Sequence, residues 1–133
     1  MVKKVEHLNQ ATWNHEVIIS LGERKSKYLD WVITVVFYEA IHYVESAFAC
    51  IHDVGHTERC QKVDESPSGA RWRLVKKVFN RNVQQSFWEL ETASKNLRYL
   101  LGDYQSYYDE AVVAGFIDSN LALIKTESIN KHI

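Results

Sequence analysis

The chain has 133 residues, 46% hydrophobic, 25% charged and 12% aromatic, with a formal net charge of −1. That length suits one helical-bundle domain over residues 1–133, able to bury a core without disulfides or a metal, and the aromatic content excludes a disordered chain. Near-neutral charge excludes a global pull toward nucleic acid or anionic lipid, so any such binding needs a local patch.

The N-terminal MVKKVEHLNQ has two lysines but no apolar stretch after them, unlike a secretory signal. With no Gly or Pro nearby, Asn9 is expected to cap a first helix with Trp13, Val17 and Leu21 on its inner face, and Gly22 to end it. Ser26 is placed to cap a long second helix running to about His52, with Gly55 terminating it. Its densest apolar run, Trp31 to Tyr38, falls far short of the ~18 residues of a membrane span. Apolar nearly all round in its middle, this helix belongs at the centre of a bundle. The expectation is a cytoplasmic chain with no membrane contact, in which Cys50 and Cys60 remain thiols.

Thr57 is expected to cap a short piece through about Val63, and Ser66-Pro67-Ser68-Gly69 reads as a loop. From Ala70 the series Trp72, Val75, Phe79, Val83, Phe87, Leu90, Leu97 and Leu101 holds one helical face to Gly102, with a bend expected at Asn80-Arg81-Asn82. Ser106 and Asp109 have capping-box spacing before a last helix with Val113, Phe116, Ile117, Leu121 and Ile124 facing in. Long helices joined by brief loops predict an all-α, up-and-down bundle of four to five helices.

Three constellations carry possible chemistry. Tyr38, His42 and Glu45 share one face of the second helix at spacings of four and three, with Glu39 three residues before His42. A carboxylate beside an imidazole can tune it for proton transfer, or the group can simply be the satisfied polar lining of a packed helix. Cys50, His52, His56 and Cys60 offer the donors of tetrahedral zinc, but no paired-ligand signature anchors them, and no metal is expected. Arg73, Lys77 and Arg81 lie at i, i+4 and i+8 of an acid-free stretch, an arrangement suited to phosphates along a nucleic-acid strand, with Trp72 or Tyr99 available to stack on a base. The alternative reading is a solvated basic face balanced by acids elsewhere. No Gly-rich phosphate loop, GxSxG elbow or HExxH is present.

The runs DWVITVVFYEAIHYVESAFA, GHTERC and SFWELETASKNLRYL resemble the HEPN superfamily, helical-bundle domains of bacterial and archaeal defence and toxin systems, and in particular its small stand-alone members. Asp30, Trp31, Phe37, Tyr38, Ala40, His42, Val44, Glu45, His56, Glu58 and Arg59 carry the match, with Arg98 and Tyr99 in a later ending, over about residues 26 to 125. The resemblance implies an HEPN-like bundle, a homodimer, affinity for RNA or nucleotide, and a nucleotidyltransferase-like or antitoxin partner protein. No cofactor is implied. Active HEPN ribonucleases pair an Arg with a His four to six residues later, across a dimer, and need no metal. Here the nearest Arg is Arg81, and Ser86 stands in the histidine slot, where a hydroxyl cannot donate a proton at neutral pH. The expectation is therefore a non-catalytic RNA- or nucleotide-binding protein of a toxin-antitoxin or defence system. One alternative is a metal-independent ribonuclease with His56 as acid or base, Arg59 on the phosphoryl charge, and His42, Glu45 and Tyr38 beneath. The other is a protein-binding adaptor.

Overall fold

The computed structural model describes residues 4–51, 57–99 and 109–131. In chain order the elements are α1 (Lys4–Leu21), a 3-10 turn (Gly22–Lys27), α2 (Leu29–Cys50), α3 (Thr57–Cys60), α4 (Pro67–Val78), α5 (Arg81–Tyr99) and α6 (Glu110–Gly115). A π-helical stretch (Phe116–Leu121) then runs into α7 (Ala122–Ile129). Among the described residues there is no strand, and the helical bundle expected from the sequence is what forms.

α2 is the central rod because its apolar residues leave only a narrow stripe, through Trp31 and Tyr38, open to water. Val32, Ile33, Val36, Ala40, Val44, Ala47 and Phe48 are fully buried, covered by α1, α5 and the last helix. By length and composition α2 is apolar enough to cross a membrane, yet 78% of its most apolar window is buried inside the protein, the position of a core helix. Side-chain pairs give the directions of the neighbours. His7 meets His42 while His15 meets Glu39, so α1 runs antiparallel to α2. Phe87 packs on Phe37 and Phe79 on Phe48, so the α4–α5 side is antiparallel to α2 as well. Asn120 bonds to Ser86 and Glu89 while Lys131 lies over Phe79, which returns the last helix antiparallel to α5. The result is an up-and-down bundle.

Several boundaries differ from expectation for local reasons. α1 starts at Lys4, so Asn9 sits inside the helix rather than capping it. Its inner face is also rotated: Ala11, Ile18 and His7 are buried, while Trp13 is 66% and Val17 39% exposed. The small Ala11 lets α1 approach α2 closely, and His7 and His15 find partners there. Gly22 does end α1, at a φ of +53° that favours glycine. Ser26 falls in the 3-10 turn, and α2 begins after Tyr28 with no side-chain cap. α2 ends at Cys50; His52 and Gly55 lie outside the described residues.

Ser66-Pro67-Ser68-Gly69 proves to be a helix start instead of a loop. Ser66 Oγ accepts from the Gly69 N–H at 3.0 Å, and Pro67 takes the first helical position, where its missing N–H costs nothing. The expected long helix breaks fully into α4 and α5: Phe79 is extended, and the Asn80 side chain caps α5 by accepting from Val83 N–H at 3.0 Å. Both halves keep the anticipated inner face, with Val75, Phe79, Val83, Phe87, Leu90 and Leu97 buried. Leu101, Gly102 and Ser106 lie outside the described residues, and α6 is capped by Asp109, which accepts from Val112 N–H at 2.9 Å.

Candidate functional site

The face of α2 that turns toward α1 carries one buried carboxylate. Glu39 is 1% exposed; its Oε2 accepts from the Tyr43 hydroxyl at 2.9 Å, and its Oε1 lies 3.1 Å from His15 Nδ1. Burial pushes the Glu39 carboxyl above its ordinary 4.5, against the opposing pull of Tyr43, His15 and Lys125. Burial and the adjacent carboxylate push the Tyr43 phenol upward too. The folded state therefore holds the Glu39 proton more tightly than the unfolded chain, so its contribution to stability is greatest at low pH and falls as pH rises from 4.5 through the raised value. Glu39→Gln removes that fall while keeping an oxygen for Tyr43. The variant's stability relative to the parent is expected to grow between acid and neutral pH in denaturant titrations, and a gap that shrinks over that range contradicts the assignment.

His42 and Glu45, one turn apart, each meet a different neighbouring helix. His42 Nδ1 lies 3.2 Å from Nδ1 of the buried His7 on α1. Glu45, 2% exposed, turns instead to the start of α3: its Oε2 accepts from Thr57 N–H at 3.2 Å, and its Oε1 accepts from the Thr57 hydroxyl and from Arg71 Nε at 3.3 Å. Tyr38 is 45% exposed on the outer flank. Arg59 belongs to α3, and His56 lies outside the described residues. Of the anticipated acid–base set, then, Glu45 reaches Thr57 of α3 and Arg71 of α4, and His42 meets His7 on the α1 seam. Among the described residues no group of three or more His, Cys, Asp or Glu side chains is placed to hold a metal ion, and Cys50 and Cys60 are not bridged.

The anticipated cation stripe is divided in the same way. Arg73 is held: its Nε and Nη2 donate to Glu65 at 2.9 and 3.0 Å, and Nη2 donates to the Cys60 carbonyl at 2.6 Å. The Arg73 hydrogen bonds, helped by the Lys62 N–H, lower the Glu65 carboxyl to about 2. Because helix α4 ends at Val78, Arg81 does not continue the helical row of Arg73 and Lys77. Lys76, Lys77 and Arg81 nevertheless gather at the α4–α5 corner, all exposed, and among the described residues none of them forms an ion pair. The Lys76 ammonium sits 5.5 Å from the centroid of the partly buried Trp72 ring.

Beside these cations opens a groove of about 500 Å³ lined by Trp72, Arg81, Gln84, Gln85 and Trp88. Trp72 and Arg81 were legible as candidates from the sequence, whereas Trp88 and the two glutamines were not. Their signal is an apolar ring off the inner face: Phe87 already fills the core position, so the indole next to it must point outward. The His15–Glu39–Tyr43 array was missed as well, because its carboxylate pairs across helices. No protein-family model, curated relative or solved structure matches this chain.

Proposed function

We propose that this chain is a small HEPN-like helical bundle that binds RNA or nucleotide phosphate without cleaving it. The observation that carries the reading is the corner at which Lys76, Lys77 and Arg81 stand exposed, without acid partners among the described residues, in a chain of net charge −1. A locally unbalanced cluster in a near-neutral protein is the electrostatic footprint that phosphate binding requires. The reading without cleavage is supported by Ser86 in the slot of the family's histidine, where a hydroxyl cannot donate a proton at neutral pH. A cytoplasmic location, a homodimer, and an antitoxin or nucleotidyltransferase-like partner in a defence setting belong to the same proposal. The outward Trp13, Trp31 and Tyr38 give it apolar surface to contact another protein.

Reversing two charges, Lys76→Glu with Lys77→Glu, is expected to weaken binding of single-stranded RNA. It should also flatten the slope of log K against log salt by about 1.4, two phosphates at about 0.7 each. Titration of a labelled oligonucleotide at several salt concentrations reads both quantities. Equal binding by parent and variant at low salt overturns the proposal.

A further inference from the structure

Phosphate attraction needs only the cations, yet the α4–α5 groove is built from more than cations. Trp88 leaves 48% of its surface to water at a position where it packs no core. Gln84 Nε2 donates to the Phe79 carbonyl at 2.9 Å and to the Lys76 carbonyl at 3.4 Å, and Gln85 Nε2 donates to Glu89 Oε1 at 3.1 Å. Those acceptors fix the orientation of both amides, since the reverse would set oxygen against oxygen. Gln84 has spent both amide hydrogens and offers a ligand its carbonyl oxygen, Gln85 offers its carbonyl oxygen and one remaining N–H, and among the described residues neither oxygen accepts a hydrogen bond. The groove thus combines an exposed π-face, two hydrogen-bond acceptors and the Arg81 guanidinium.

We infer that this groove takes an unpaired nucleobase bearing an exocyclic amino group, with its face on Trp88, its amino edge toward the Gln84 and Gln85 carbonyl oxygens, and its phosphate on Arg81. The inference rests on the RNA- or nucleotide-binding reading and names the ligand within it. A base inside a duplex hides its faces in the stack and spends one of its two amino hydrogens on its partner, so only single-stranded or free nucleotide presents an open face together with the whole amino edge. Adenine, cytosine and guanine carry amino donors; uracil brings a single ring N–H and meets two acceptors with one donor.

The test uses the full chain and labelled oligoadenylate, oligocytidylate and oligouridylate of about eight nucleotides, with the adenine–uracil duplex beside them, read by fluorescence anisotropy. Oligoadenylate and oligocytidylate are expected to bind about tenfold tighter than oligouridylate or the duplex, and Trp88→Ala to remove about that factor for the first two. Trp88 is a surface residue, so circular dichroism of the variant should match the parent. Competition by adenosine monophosphate as strong as by the oligomer supports a free nucleotide as the ligand, and competition by the oligomer alone supports RNA. Equal binding of all four probes with Trp88→Ala unchanged, while Lys76→Glu with Lys77→Glu still weakens them, sinks the groove and leaves the phosphate reading standing. No binding by any probe sinks both.

Discussion

Glu45→Ala is expected to destabilise the fold by about 3 to 5 kcal/mol, because it strands the other half of a buried ionic contact. The carboxylate is 2% exposed and serves the Thr57 N–H, the Thr57 hydroxyl and Arg71 Nε at once. Arg71, itself only 18% exposed, is left with little solvent to replace the lost oxygen, and Thr57 loses its acceptor at the first residue of α3. Glu45→Gln keeps an oxygen for Thr57 and gives up the charge facing Arg71, so its cost should be smaller, about 1 to 2 kcal/mol. Denaturant unfolding of the two variants gives the order directly. A glutamine variant less stable than the alanine variant contradicts the assigned contacts.

Phe87→Ala should cost a similar amount, about 3 to 5 kcal/mol, for an unrelated reason. The ring is fully buried and lies 5.6 Å, centroid to centroid, from Phe37, so it pins α5 to the central helix, and its removal leaves a cavity that rigid helices cannot close. The adjacent Trp88 is larger yet outward, and Trp88→Ala should stay within about 0.5 kcal/mol of the parent. The pair separates packing from size. Equal losses for the two neighbours show that α5 is rotated from the arrangement described.

The parts of the fold legible in the sequence are those that depend on one helix at a time. The length and all-round apolarity of α2 name it as the centre before any neighbour is known, and Gly22 marks the end of α1 by its backbone freedom alone. The inner face of α4 and α5 is readable too, since large apolar residues recur at helical spacing over both. The phase of α1 is not readable in this way. It offers one candidate face through Trp13 and Val17 and another through His7, Ala11 and Ile18, and the choice depends on what stands opposite, namely His42 and Glu39. Ser66-Pro67 was ambiguous because the residues that favour turns also start helices. Of the candidate site, the cations were visible as a sequence run. The commitment of Arg73 to Glu65, and of Glu45 to Thr57 and Arg71, requires tertiary contact and left no mark in local spacing.

The placement of the indoles decides how the protein is best watched. Trp13, Trp31 and Trp88 are each about half exposed or more, and Trp72 is only partly covered. Their emission already samples water in the native state, so unfolding changes its colour little and intrinsic fluorescence is a poor gauge of the core. Loss of ellipticity follows the bundle far better, which leaves the light from Trp88 available as a reporter of whatever settles against it.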